Sequence, residues 1–418
     1  MKVLVIGSGG REHAICKKLV ESKLVTELYC APGNAGIKEC ANLVAIGPME
    51  FEKIYNFSKE ESIDLVFVAP DNPLAEGLVN YLEEKGISAF GPRKEAAIIE
   101  GSKAFSKAFM KRHNIPTATY EEFESFESAK NYVLKTNKYP IVIKADGLAF
   151  GKGVIICETE KDAINALQEM MNTKVFGDAG NKVIIEEFLE GKEVTVLAFT
   201  DGKTVIPMPS SQDHKKAFDG DKGLNTGGMG AFSPATGYTL EAEKETIEKI
   251  INPTIKGLFD EGRMFKGVIY FGLMVTGDGV KVIEYNARFG DPETEAILPL
   301  LKTDLMEIVL AIQKGELDKI SVEFEDKASL CVIIASGTYP GKVVTGYPIK
   351  ITEKLSDNVI LYHCGTAIKD GVLVSNGGRV LCLSAKADSI SEARKIVYSE
   401  INKIKFEGSR YRTDIGLK

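Results

Sequence analysis

The 418-residue sequence lacks any charge-free apolar run near the roughly 20 residues that span a bilayer, so no membrane partner is expected. Its opening "MKVLVIGSGG" carries a short apolar run that stops at Gly7 with no small-residue cleavage site behind it, which reads as a strand and not an export signal. Positive charge is not in excess. The formal net charge is -7 and the sequence pI is near 5.5, which argues against nucleic acid as the main partner. No C-x-x-C pair occurs among the seven cysteines, and seven is odd, so free thiols in a cytoplasmic protein are expected. His13, His113 and His363 lack metal-ligand spacing and read as structural. No G-x-S-x-G element marks a serine hydrolase, and no internal repeat or low-complexity segment is present.

What is present is a globular composition, 44% hydrophobic and 27% charged, in a length that suggests about three domains. The first hundred residues alternate buried-strand signals ("KVLVIG", "IDLVFVAP") with helical ones ("REHAICKKLVES", "LAEGLVNYLEEKG"). Such alternation predicts a parallel sheet covered on both faces, a Rossmann-like unit in an α/β and α+β protein. After Gly101 the pattern becomes α+β, with "SKAFSKAFMKRH" as a basic helix and the strands "PIVIKA", "GVIICE" and "KVIIEEFL" around a helix, a compact stretch suited to a lid. The stretch 223–239 is polar and glycine-rich and is expected to be a long functional loop close to Asp213 and His214. Near the C-terminus, Asn376-Gly377-Gly378 between apolar runs predicts a hairpin.

Four stretches carry chemistry. In "IEYNARFGDPE" (283–293), Glu284, Asn286 and Arg288 share one strand face, a costly polar row unless something polar is bound there. In "GSGGRE" (7–12), a strand opens into a helix at Gly9, Gly10 and Arg11, which suits a single phosphate or simply a tight turn. Glu12 stands where a dinucleotide fingerprint needs glycine, and it would repel a pyrophosphate. In "VIKADGLAFGKG" (142–153), a strand delivers Lys144, and Gly147, Gly151 and Gly153 form a mobile loop carrying Lys152, suited to phosphate oxygens. In "IIEEFLEGKEV" (184–194), the backbone of Glu186, Glu187, Phe188 and Leu189 can face an adenine edge, and Glu193 can accept from ribose hydroxyls.

With Lys103 added, this ordered set resembles the ATP-grasp superfamily. The blocks "GSGGREHA", "VIKADGLAFGKGV", "QDHKKAFDGDKGLNTGGMGAFSP", "NARFGDPETEAILPLL" and "YRTDIG" look more narrowly like the glycinamide ribonucleotide synthetase family over essentially the whole chain. The resemblance implies a Rossmann-like domain (1–101), an ATP-grasp domain (102–325) with a small mobile lid at about 120–190, and a small α+β C-terminal domain (326–418). It implies a cytoplasmic ligase of purine biosynthesis that uses ATP and Mg²⁺ or Mn²⁺ to join glycine to 5-phosphoribosylamine through glycyl phosphate. It also admits a transient contact with the upstream amidotransferase that makes this labile amine. Glu284 and Asn286 would hold the metal. The strand "GVIYFGLMVT" before them has no further acid, so one firmly held ion is expected. Lys103, Lys144, Lys152 and the glycine loop would meet the phosphates. Asp213 would lie near the amine, Asn225, Gly227, Gly228 and Met229 around the ribose phosphate or glycine, and Arg288, Asp291 and Glu293 would complete that wall. Lys216 stands where the family usually has arginine, keeping the charge but losing the planar fork. Competing readings are an ATP-grasp ligase with another acid or amine, a nicotinamide-dependent oxidoreductase, and a non-catalytic nucleotide sensor.

Overall fold

The computed structural model describes residues 1–148 and 153–417. The N-terminal sheet is parallel, in the order β3-β2-β1-β4-β5, with β1 Lys2–Gly7, β2 Glu27–Pro32, β3 Asn42–Leu43, β4 Leu65–Val68 and β5 Ala89–Phe90. The central strands β1 and β4 are apolar beyond Lys2 because both faces are covered. Alternation still sorts them: Val3, Val5, Leu65 and Phe67 enter one core, while Leu4, Ile6, Val66 and Val68 enter another.

A second sheet, antiparallel, stands at the centre of the molecule in the order β11-β10-β16-β17: β10 Lys192–Thr200, β11 Val205–Pro207, β16 Gly267–Thr276 and β17 Gly279–Asn286. It feeds the same two cores, with Leu197, Phe199 and Tyr270 on one side and Val196, Ile269 and Phe271 on the other. The N-terminal and central sheets therefore share their apolar interior. The lid differs. Its four antiparallel strands, β6 Tyr120–Phe123, β7 Ile141–Ala145, β8 Val154–Cys157 and β9 Val183–Glu187, pair in the order β6-β9-β7-β8. They enclose a separate core that includes Val133, Ile143, Leu167 and Ile185.

Two sequence expectations are corrected here. Part of the 223–239 stretch is a fully buried strand, β15 Gly230–Ser233, which pairs with both β12 Gln212–Asp213 and β18 Ala328–Ser336. Small side chains make this possible: a Cβ on Gly230 would lie 2.5 Å from the Cys331 carbonyl. Two other strands, β13 Lys216–Phe218 and β14 Lys222–Asn225, form a hairpin that projects from the same region. The C-terminal hairpin, in turn, joins Thr366–Lys369 to Val372–Ser375 through Asp370-Gly371, and does not run through Asn376-Gly377-Gly378. A two-residue hairpin turn of this kind needs positive φ at both central residues, and Asp370 (51°) and Gly371 (77°) supply it.

Candidate active site

Strand β17 is bulged. Gly272 faces Glu284 but Leu273 faces Val282, so Ile283 is an extra residue on that strand. Glu284 and Asn286 then line a cavity of about 800 Å³ between the lid, the central sheet and the β13–β14 hairpin. Burial alone would push the Glu284 carboxyl up, yet Lys215, Lys144, Lys103 and Arg288 outweigh it and hold the group below the usual carboxylate range. An ionised carboxylate and an amide oxygen suit a hard divalent cation. No cluster of three His, Cys, Asp or Glu side chains able to hold a metal occurs among the described residues, and Glu284 has only Gly272 opposite it on β16.

Asn286 is oriented from behind. Its Oδ1 accepts from Arg288 Nη2 at 3.2 Å, and the same Nη2 lies 2.9 Å from Glu100 Oε1. Glu100 Oε2 accepts the Ala287 N–H at 2.7 Å. Arg288 thus lines the cavity while much of its fork is engaged by Asn286, Glu100 and the Phe289 carbonyl.

The side expected to meet the nucleotide is a set of cations. Lys103 begins a helix (Lys103–Arg112) capped by Ser102, whose Oγ accepts the Phe105 N–H. Its Nζ donates to the Gly147 carbonyl at 2.8 Å, and burial lowers its pKa. Four residues on, at one helical turn, Lys107 reaches the same cavity. Lys107 Nζ lies 2.9 Å from Glu186 Oε2, and Lys144 Nζ lies 2.9 Å from Glu186 Oε1. Burial pulls Lys107 down to about 8, although Glu186 opposes the shift. Glu186, Lys107 and Lys144 are each under 5% exposed (4%, 2% and 4%), so Glu186 acts first as a buried counter-ion.

The linker 188–191 makes no backbone hydrogen bond among the described residues, and Phe188, Leu189 and Gly191 line the cavity. Its N–H and C=O groups are therefore available to a planar polar edge. Glu187 is tied back to Thr119 by its own N–H and by its carboxylate. Glu193 Oε2 accepts from Lys215 at 2.9 Å. Gly147 and Gly153 line the cavity. Gly151 and Lys152 lie outside the described residues.

Across the cavity stand Asp213, Lys215, Asn225, Gly227, Asp291 and Glu293. Burial pushes the Asp213 carboxyl up to about 8; Lys215 opposes this, and Glu293, Glu193 and Glu284 reinforce it. Burial pulls Lys215 down, but Glu193 and Asp213 hold it well above the ordinary lysine range. Glu293 is 3% exposed and accepts from Thr195 Oγ1, whose oxygen lies 2.9 Å from the Tyr270 hydroxyl. Arg379, a C-terminal-domain residue, joins this wall. Its Nη2 lies 3.0 Å from Asp291 Oδ1, and its Nη1 donates to the carbonyls of Gly227 (2.6 Å) and Asp291 (2.9 Å).

Four expected substrate residues do not line the cavity. Gly9 N–H donates to Glu12 Oε2 at 2.6 Å, so the helix start is occupied by the chain's own carboxylate. Gly10 is packed beneath Glu295, where a Cβ would meet Oε1 at 2.2 Å. Met229 is fully buried in the core. Gly228 (φ +110°) makes the turn against Pro292, leaving only 2.4 Å for a Cβ. Arg11 does reach the cavity, with Nε on Glu12 and Nη1 on the Phe289 carbonyl. Sequence reasoning missed Lys107, Lys215, Glu100, Tyr270 and Arg379. The four-residue step from Lys103 could have revealed Lys107; Arg379 carries no local signal.

Profiles of three phosphoribosylglycinamide synthetase domains match the chain: the N domain over residues 1–100, the ATP-grasp (A) domain over 101–294 and the C domain over 329–418. Phosphoribosylamine–glycine ligase of Halalkalibacterium halodurans is 49% identical over 418 residues, 100% of this chain and 97% of the relative. That of Caldanaerobacter subterraneus is 49% identical over 415 residues, covering 99% of each. The crystal structure of phosphoribosylamine–glycine ligase from Thermotoga maritima matches with a TM-score of 0.85 at 34% identity, over 99% of this chain and 100% of that one. The biotin carboxylase domain of Hydrogenobacter thermophilus 2-oxoglutarate carboxylase, solved with MgADP, ADP and bicarbonate, shares the fold at a TM-score of 0.76 and 19% identity, over 98% and 91% of the chains.

Proposed function

The chain belongs to the phosphoribosylglycinamide synthetase family, ATP-grasp ligases of purine biosynthesis, and we propose that it joins glycine to 5-phosphoribosylamine through glycyl phosphate. One observation carries the assignment of roles: a single cavity has Glu284 and Asn286 between a cationic wall of Lys103 and Lys144 and an acidic wall around Asp213. A carboxylate is a poor acyl donor until one oxygen carries a good leaving group. In the first step a glycine carboxylate oxygen attacks the γ-phosphorus of ATP and ADP leaves. In the second the amine nitrogen attacks the acyl carbon, phosphate leaves, and the amine loses a proton.

Lys103 and Lys144 neutralise and align the phosphates, and the linker 188–191 holds the adenine edge, so that the γ-phosphorus is positioned for in-line attack. A divalent cation, Mg²⁺ or Mn²⁺, held by Glu284 and Asn286 supplies charge neutralisation on the phosphate oxygens when bound. Asp213, with its pKa near 8, accepts the amine proton or a hydrogen bond from it. Arg288 serves glycine through whatever part of its fork faces the cavity. The lid excludes water from the acyl phosphate. All seven cysteines are free, which fits the reducing cytoplasm where we place the enzyme. No helix among the described residues is long and apolar enough to cross a membrane.

Phosphate release from ATP is measured with glycine and freshly generated phosphoribosylamine supplied separately and together. Release that needs both, with glycinamide ribonucleotide as product, is the expected result. Hydroxylamine in place of the amine should trap glycyl hydroxamate. Release driven by a different acid or amine would overturn the substrate assignment, and absence of the hydroxamate would count against the acyl phosphate.

A further inference from the structure

Glu186 sits between two ammonium groups, Lys107 and Lys144, each 2.9 Å from one of its oxygens. The three side chains belong to different elements: Lys107 to the helix Lys103–Arg112 of the body, Lys144 to β7 and Glu186 to β9 of the lid. All three are buried, and together they carry one net positive charge.

The two lysines are held differently. Lys107 Nζ donates to Thr117 Oγ1 at 2.8 Å, and Thr117 Oγ1 donates to the Val282 carbonyl at 2.7 Å. Lys107 is thus fixed to the body at the chain's entry into the lid. Lys144 Nζ donates to the carbonyl of the bulged residue Ile283 at 3.1 Å. Although Lys144 is close to Glu186 Oε1, that oxygen has no aligned hydrogen-bond donor among the described residues. Lys144 is therefore drawn to Glu186 by charge without an aligned bond, and its one directional bond among the described residues is to the Ile283 carbonyl.

From this asymmetry we infer that Lys107 is a positioning residue for nucleotide binding: it serves as the standing counter-ion of Glu186, and so frees the charge of Lys144 for a phosphate. An isolated buried carboxylate is costly and captures any cation within reach. With Lys107 in place, Glu186 remains neutralised when Lys144 turns toward the nucleotide. Without Lys107, Glu186 and Lys144 form a closed pair of zero net charge, and the phosphates lose the charge of Lys144 and keep that of Lys103. Glu186 is then a steering group whose charge must be matched in advance. This rests on the assignment of Lys144 to the phosphates.

The test is calorimetric binding of adenylyl imidodiphosphate with Mg²⁺, set against adenosine, in the full-length protein. The ratio of the two affinities isolates the phosphate contribution from any disturbance at the adenine edge. Lys107→Met should lower that ratio about tenfold or more, since one unit charge near a phosphate is removed in a poorly solvated site. Lys107→Arg should keep most of it. Lys107→Met combined with Glu186→Gln should recover the wild-type ratio, because Lys144 again carries the uncompensated charge. An unchanged ratio in Lys107→Met would overturn the inference. A loss that the double variant does not recover would also overturn it, by showing that packing and not charge is at stake. A wild-type protein that binds the analogue no better than adenosine would instead remove the assignment of Lys144. Thermal unfolding of each variant identifies any that do not fold, and for Lys107→Met in that case Lys107→Gln takes its place.

Discussion

The two walls of the cavity are built on different principles. On the nucleotide side, Lys144 and Glu186 come from a segment with its own core, and they meet the body through charged groups: Lys107 and Glu186, Lys144 and the Ile283 carbonyl, Lys103 and the Gly147 carbonyl. On the acceptor side, the β13–β14 hairpin is bolted down by the C-terminal tail. Arg412, 1% exposed, donates to the Lys216 carbonyl at 3.0 Å and to Asp221 at 2.9 Å. Arg410 donates to the Ala217 carbonyl, Thr413 N–H to Asp219, and Gly220 N–H to Asp414. In the proposed reaction, the wall that closes over ATP is assembled by charges that exchange partners within one buried set, and the wall that presents the amine to the acyl phosphate gains from being organised beforehand.

The largest expected effect breaks the nucleotide wall at its floor. Glu284→Ala with Asn286→Ala removes both oxygen donors. Turnover at saturating Mg²⁺ should fall by about 10³-fold or more, from several kcal/mol of lost charge stabilisation. Because these residues sit at the end of β17 and face the cavity, the thermal midpoint should stay close to that of the parent. Steady-state phosphate release and a melting curve check both halves. Activity within tenfold of the parent would remove these residues from the metal site.

Next in size is the bolt on the other wall. Arg412→Ala leaves Asp221 and Asp414 without their shared partner and loosens a hairpin whose neighbours Asp213, Lys215 and Asn225 line the cavity. A displacement of about 1 Å can cost about 10²-fold, so kcat/KM for phosphoribosylamine should fall by about that factor. Affinity for an ATP analogue should change by less than about twofold, because the Arg412 side chain bonds to the Lys216 carbonyl, Asp221 and Asp414 and, among the described residues, to none of Lys103, Lys107, Lys144 or Glu186. Equal losses on both substrates would erase the contrast between the walls and mark Arg412 as a general fold residue.

The two walls were also unequally legible. Strands β1 and β7, the glycine stretch after Lys144 and the row Glu284, Asn286 all lie within single short segments, and period-two alternation or glycine spacing reveals them directly. The acceptor wall depends on pairings between distant segments. β15 looked like loop because its Gly-Ala-Phe-Ser sequence has little strand signature, and only its partner β18, about a hundred residues later, makes it a buried strand. Arg379 reaches Asp291 across a separation of 88 residues, and nothing in the local window around either one announces the other. Gly228 illustrates the same limit. As a member of a conspicuous motif it reads as a ligand contact, whereas Pro292, from another segment, is the reason glycine is required. Glu12 is the counter-case: its carboxylate was readable as hostile to a pyrophosphate, and it is the group that caps Gly9.

The smallest effect sharpens the contrast by titration. A preorganised acidic wall should hold its carboxyl groups at a cost that grows as they ionise. Asp213 has a folded pKa raised to about 8, against roughly 3.9 for an unfolded aspartate. Between these values the folded protein binds more protons than the unfolded chain, so stability falls as pH rises through that interval and levels off above about 8. Asp213→Asn removes the ionisation but keeps the shape. The thermal midpoint of Asp213→Asn minus that of the parent should therefore be near its minimum below about pH 4, increase toward pH 8, and stay constant beyond it. Arg412→Ala, by letting water into this wall, should shrink that increase when introduced into both proteins. A difference independent of pH would mean that Asp213 is already ionised at neutrality, so that Lys215 and not burial sets its charge. The acceptor wall would then be, like the nucleotide wall, a matched pair of opposite charges and not a strained, preformed acid.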